Sequence, residues 1–216
     1  MIPPGRPRVL LADDHRLVAE ALKSLLAPEF DLVGVVGDGR ELVEKAAELR
    51  PDVIVADIGM PHLNGIDALI RLRASGEQVP VVFLTMHSDA TFARRALDAG
   101  ASGFVLKHSA ATELISAIRA ALSGQTYITP QLAGEVLDAM REGRHHVDNP
   151  ADSLTLRQRE VLQLLVEGLS AKEISTRLGI SARTVEFHKY QMMERLDIHT
   201  NAELIHFAIK NGLVGF

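Results

Sequence analysis

Between Arg8 and about Ser123, five short apolar runs recur: Val9–Ala12, Leu32–Val36, Val53–Ala56, Val81–Leu84 and Phe104–Leu106. Amphipathic stretches of helical length separate them. Continuous apolar runs suit strands covered on both faces, and parallel neighbours need helical crossovers between them. The pattern predicts five strands and five helices in a doubly wound α/β sandwich with a parallel, flavodoxin-like sheet. Gly100, Gly103 and Gly124 stand where helices are expected to end, the place of a left-handed cap.

Beyond Gly124 the pattern changes. Thr129-Pro130 opens a helical stretch to about Met140, and Arg141–Asp152 (REGRHHVDNPAD) is polar, so residues 124–149 read as a linker with one helix near 130–140. The pair His145-His146 falls in this stretch and reads as solvated, because adjacent side chains diverge on a regular backbone. From Ser153 the pattern is wholly helical. Thr155-Leu-Arg-Gln158, Ser170-Ala-Lys-Glu173 and Thr200-Asn-Ala-Glu203 have the spacing of capping boxes, and Ser181 precedes a further helix. Gly168 and Gly212 follow the first and last of these helices. The prediction is a four-helix domain over residues 150–216. Its middle pair, Ala171–Leu178 and Ala182–Leu196 across Gly179, has helix-turn-helix proportions. At 100° per residue Val185, Met192 and Leu196 share the inward arc, and Arg183, Glu186, Phe187, Tyr190 and Glu194 point the other way.

Composition narrows the function classes. With 216 residues, 47% hydrophobic and 24% charged, the chain is globular, neither disordered nor fibrous. It has no cysteine, which excludes disulfides, thiolate metal sites and cysteine nucleophiles. No apolar run approaches the ~20 residues that cross a bilayer, and the opening MIPPGRP lacks a signal-like apolar core, so a cytoplasmic protein with no membrane partner is expected. Charge is uneven: residues 1–150 hold 15 Lys+Arg against 20 Asp+Glu, and residues 151–216 hold 8 against 8.

The carboxyl ends of the strands are where open α/β sheets place their chemistry. Here they carry Asp13-Asp14 after the first strand, Asp57 after the third, Thr85 after the fourth and Lys107 after the fifth. Three carboxylates brought together repel one another, and a cluster of hard oxygens suits Mg²⁺ or Mn²⁺. A carboxylate beside a divalent ion and an ammonium is a nucleophile toward phosphorus, and Asp57, on the central strand, is the candidate. A nucleotide-binding loop would need Gly, Ser or Thr in place of Ala12-Asp13-Asp14-His15, and an aspartyl-phosphate phosphatase of the haloacid dehalogenase kind would need a second Asp where Gly59 stands.

Asp13-Asp14, Asp57-Ile-Gly-Met-Pro61, Leu84-Thr85 and Lys107 resemble the receiver domain of bacterial two-component response regulators over residues 7–123. The resemblance implies that Asp57 accepts phosphate from a sensor histidine kinase. It also implies that Asp14 binds the metal directly, Asp13 through water, and the Gly59 carbonyl completes the site, with Thr85 and Phe104 as the switch pair. Phe104 lacks the hydroxyl of a tyrosine, and His108 stands where the family often has proline. Leu154-Thr155, Glu160-Val161-Leu162, Gly168-Leu169-Ser170, Lys172-Glu173-Ile174, Ile180-Ser181, Thr184-Val185, His188 and Gly212-Leu213 resemble the LuxR-type DNA-binding domain.

The two together are similar to the NarL/FixJ class of transcription regulators. The resemblance puts Lys172 and Thr184 near phosphates, and Arg183, Glu186, Phe187, Lys189 and Tyr190 on a face toward the bases. It implies a non-enzymatic regulator that binds promoter DNA, pairs as a homodimer on inverted half-sites when phosphorylated, and meets RNA polymerase. Glu186 stands where the family usually has lysine, and Asn201 where arginine is common. The neutral second domain and its outward Phe187 leave a second reading open, a phospho-regulated adaptor whose C-terminal domain binds protein.

Overall fold

The computed structural model describes residues 5–86, 90–142, 153–211 and 213–214. The chain divides into two compact units, Met1–Gly143 and Arg144–Phe216.

In the first unit strands and helices alternate: β1 (Arg8–Ala12), α1 (Arg16–Leu26), β2 (Asp31–Val36), α2 (Gly39–Leu49), β3 (Val53–Ala56), α3 (Gly65–Ala74), β4 (Val81–Thr85), α4 (Ala90–Asp98), β5 (Gly103–Leu106) and α5 (Ala110–Leu122). Two more elements follow, β6 (Tyr127–Ile128) and α6 (Pro130–Glu142). The sheet has the order β2-β1-β3-β4-β5-β6, and every pairing is parallel. Each central strand is buried on both faces, as its unbroken apolar run requires. Leu42, Leu69, Phe92 and Ala96 of α2, α3 and α4 fill one side with Phe83 and Phe104. Leu22, Leu26, Leu114 and Ile118 of α1 and α5 fill the other with Val55 and Val105.

The stretch read as a linker is different. Tyr127 and Ile128 pair with Gly103 and Phe104, making a sixth strand that covers the β5 edge. The helix expected near 130–140 is present as α6, and it packs on α4 with Leu132 and Val136 buried in the same apolar cluster as Phe92 and Phe104. Residues 124–142 therefore extend the first unit, because two apolar side chains one helical turn apart suffice to seat α6. A second correction concerns Gly103. Gly100 and Gly124 do take left-handed conformations after α4 and α5, but Gly103 opens β5, where a Cβ would meet the Val82 side chain at 3.1 Å.

The second unit consists of α7 (Leu156–Val166), α8 (Ala171–Leu178), α9 (Ala182–Leu196) and α10 (Asn201–Lys210) around Val161, Leu162, Ile174, Val185, Met192 and Leu204. All three capping boxes form, and Ser181 caps α9 by accepting from the Thr184 N–H. Gly179 takes the left-handed conformation that ends α8 and turns the chain into α9. Gly168 does the same after α7, and Gly212 and His145-His146 lie outside the described residues.

Candidate phosphoacceptor pocket and nucleic-acid face

The pocket forms where neighbouring parallel strands end level. Ala12 is opposite Ala56 and the Asp57 N–H donates to the Ala12 carbonyl at 2.8 Å, so Asp13 and Asp57 leave the sheet side by side. Thr85 is opposite Leu106, which brings Lys107 out beside them. Gly65 lets the β3–α3 loop close over this end, since a Cβ there would lie 2.2 Å from the Asp57 carbonyl oxygen.

Asp13 and Asp57 are both buried, and the Lys107 ammonium binds the two at once, 2.8 Å from Asp13 Oδ2 and 2.6 Å from Asp57 Oδ2. The Gly59 N–H donates to Asp57 Oδ1 at 3.3 Å. Burial pushes the Asp57 carboxyl above its ordinary value, and the nearby Asp13 adds to the rise, while Lys107 and Gly59 oppose it. Burial also works to lower Lys107, but its hydrogen bonds and charge pairing with the two aspartates outweigh that and raise it. Thr85 and Phe104 are fully buried, Phe104 within the apolar cluster that α6 completes.

Asp14 is exposed at the rim, and there the structure adds a residue that the strand-end pattern did not supply. His15 Nδ1 lies 2.8 Å from Asp14 Oδ1, and its backbone N–H donates to Asp13 Oδ1 at 2.9 Å. Ligand atoms of Asp13, Asp14, His15 and Asp57 all lie within 4.8 Å of one another. Three carboxylates against one ammonium leave the pocket negative, and the oxygen-rich donor set fits a hard divalent cation. The signal for His15 was its adjacency to the aspartate pair, which a search for strand-end carboxylates passes over.

A polar staple lies behind β5. Glu113 Oε2 accepts from the Thr129 hydroxyl at 2.8 Å and the Tyr127 hydroxyl at 3.2 Å, and Thr129 Oγ1 accepts from the Leu106 N–H. This ties α5, β6 and β5 together directly before Lys107.

In the second unit, burial follows the helical wheel. Val185 and Met192 face inward, Leu196 is partly buried, and Arg183, Phe187, Tyr190 and Glu194 are exposed. Lys172 is exposed near the start of α8, and the Thr184 hydroxyl lies 2.8 Å from the Ser181 hydroxyl. Glu186 and Lys189 form an ion pair of 2.6 Å, and Lys189 Nζ also sits 5.1 Å from the Tyr190 ring centroid. Burial, and then the charge of Arg157, lower the pKa of His188. No helix among the described residues is long and apolar enough to cross a membrane.

These two sites coincide with two family matches. Residues 9–119 match the response regulator receiver domain, and residues 152–208 match the bacterial regulatory proteins of the luxR family. Over 96% of its length the chain is 35% identical to the response regulator GacA of Pseudomonas viridiflava, covering 97% of that protein. It is 37% identical to the transcriptional regulatory protein MctR of Rhizobium johnstonii, covering 96% of this chain and 95% of that one. Among solved structures, a two-component response regulator of the LuxR family from Aurantimonas sp. SI85-9A1 superposes with a TM-score of 0.60 at 33% identity, covering 63% of this chain and 99% of the other. The chain belongs to the two-component response regulators that join a receiver domain to a LuxR-type DNA-binding domain and act as transcription regulators, not as enzymes.

Proposed function

We propose that Asp57 is the phosphoacceptor of this regulator and that the outer face of α9, with Lys172 and Thr184, is its DNA-binding surface. The observation that carries the first part is the single ammonium shared by two buried carboxylates, Lys107 between Asp13 and Asp57. An Asp57 oxygen attacks the phosphorus of a sensor kinase's phosphohistidine. The P–N bond breaks, and the imidazole leaves with the electron pair and takes up a proton. Lys107 then lies against the new phosphoryl oxygens, and Thr85, at the end of β4, supplies a hydroxyl to them. Asp13, Asp14, Asp57 and the Gly59 carbonyl would hold Mg²⁺ or Mn²⁺, which would supply neutralising charge for the phosphoryl oxygens.

Phe104, Phe92, Leu132 and Val136 share one cluster, so a rearrangement behind Thr85 is felt by α4 and by α6. Reversing a 1:99 equilibrium takes ~5.5 kcal/mol of differential stabilisation, within reach of a dianion meeting a cation, a hydroxyl and a metal. The output is homodimerisation on inverted half-sites of promoter DNA in the cytoplasm, where RNA polymerase is the further partner.

The test compares the purified chain with Asp57→Asn, with and without Mg²⁺ and an acyl phosphate donor, by light scattering and by duplex-binding titrations at several salt concentrations. Donor-dependent dimerisation with tighter, salt-sensitive binding, absent from the variant, is the expected result. The same gain in Asp57→Asn would overturn the assignment of Asp57, and failure to bind any duplex would overturn that of α9.

A further inference from the structure

Glu186 and Lys189 sit one turn apart in the second and third turns of α9, the part of a recognition helix that reaches into the major groove. Their 2.6 Å ion pair makes them one unit. The Lys189 side chain is 13% exposed and its ammonium lies over Tyr190, so it is held in place and is not free to swing toward a phosphate. The second domain also has no net positive charge to spare, with 8 basic against 8 acidic residues.

A carboxylate touching an ammonium is an acceptor beside a donor, and base edges differ in how they answer that pattern. On a C·G pair the cytosine N4 amino donor stands at one end, and the guanine O6 and N7 acceptors adjoin it. On an A·T pair the single donor, adenine N6, stands between two acceptors, N7 and the thymine O4, whose lone pairs oppose a carboxylate from both sides.

Building on the DNA-facing assignment of α9, we infer that the Glu186–Lys189 pair reads a C·G base pair in each half-site, Glu186 accepting from cytosine N4 and Lys189 donating to guanine. Sequence preference is thereby gained at the expense of phosphate attraction, which is what a paired lysine on a neutral domain delivers.

The experiment selects duplexes from a randomised library with the full chain, Mg²⁺ and an acyl phosphate donor, then measures every single-base change in the recovered site. Wild type is expected to require C·G at one position per half-site. Glu186→Ala loses that preference by a factor between about 5 and 100 while other positions keep theirs. The same variant binds non-cognate duplex more tightly, with a salt slope steeper by up to about one per protomer, because Lys189 is released. Glu186→Gln moves the preference toward A·T, as an amide suits adenine, and Lys189→Arg retains C·G where Lys189→Met does not. A base profile unchanged in Glu186→Ala, with affinity raised equally for all sequences, would overturn the inference and leave α9 on DNA. Circular dichroism melting of each variant, expected to match wild type for these surface positions, separates lost reading from lost folding.

Discussion

The acidic pocket and the outer face of α9 both rest on a lysine engaged by carboxylate, yet they are built in opposite ways. Lys107, just after β5, joins two residues that follow β1 and β3 and is 9% exposed, with Asp13 and Asp57 buried beside it. Lys189 joins its own helical neighbours at the surface. Buried charges depend on their partner for solvation that water no longer supplies, so the pocket is sensitive to the loss of any member. The Glu186–Lys189 pair lies within one helix and its Glu186 side chain is 40% exposed, so losing one member leaves the carboxylate in contact with water. The pocket is thus suited to holding a fixed geometry, and the α9 pair, on the proposed DNA-facing reading, to meeting a base edge.

Paired substitutions break this comparison most sharply. Lys107→Met leaves two buried carboxylates uncompensated and is expected to cost about 3–5 kcal/mol in the first unit's unfolding transition, whereas Lys189→Met stays within about 0.5 kcal/mol. Equal effects in urea titrations would remove the distinction between the sites.

Next in size, Leu132→Ala opens a cavity under α6 and is expected to cost about 3 kcal/mol in the same transition, with the second unit's transition unmoved. If the first unit kept its midpoint, α6 would not be part of that core. Ser170→Ala removes one reciprocal cap of α8 and is expected to cost about 1 kcal/mol, read in the second transition alone.

The smallest effect is on pH dependence, and its sign differs between the units. The Ser170 hydroxyl and N–H hold the Glu173 carboxyl below its ordinary 4.5, and the N–H groups of His199 and Thr200 do the same for Glu203. A lowered folded pKa gives support that is present above 4.5 and fades as pH falls through the folded value. Asp57, raised above 3.8 by burial, runs the other way: its ionisation opposes folding as pH climbs through the raised value. Acidification below about 4.5 should lower the second unit's midpoint more than the first's, and replacing Glu173 and Glu203 with Gln should flatten that dependence. Parallel curves for the two units would contradict it.

How legible each site was in the sequence follows from the same contrast. The α9 face rests on a 3.6-residue period, and the inward Val185 and Met192 and the outward Phe187 and Tyr190 lie where that period puts them. The capping boxes were equally plain, because donor and acceptor stand three residues apart. The strand-end carboxylates were visible as members of a set, since an apolar run followed by a charged residue marks a sheet's edge. What was not visible was β6, only two residues long, or the seat of α6 on α4, which depends on what α4 leaves uncovered. Gly103 misleads for a related reason: a glycine after a helix and a glycine opening a strand look alike until the neighbouring Val82 is in place.

The sequence by itself determined the order of the first five strands and of the helices, the caps that start the last four helices, and which residues carry charge at strand ends. Those are local matters of periodicity, hydrogen-bond reach and residue type. Only the tertiary structure decided that Lys107 spans both Asp13 and Asp57, that His15 meets Asp14 at the rim, and that residues 124–142 complete the first unit. These depend on strand register and on which apolar surface remains open, and both are set by the chain packing against itself across long separations in sequence.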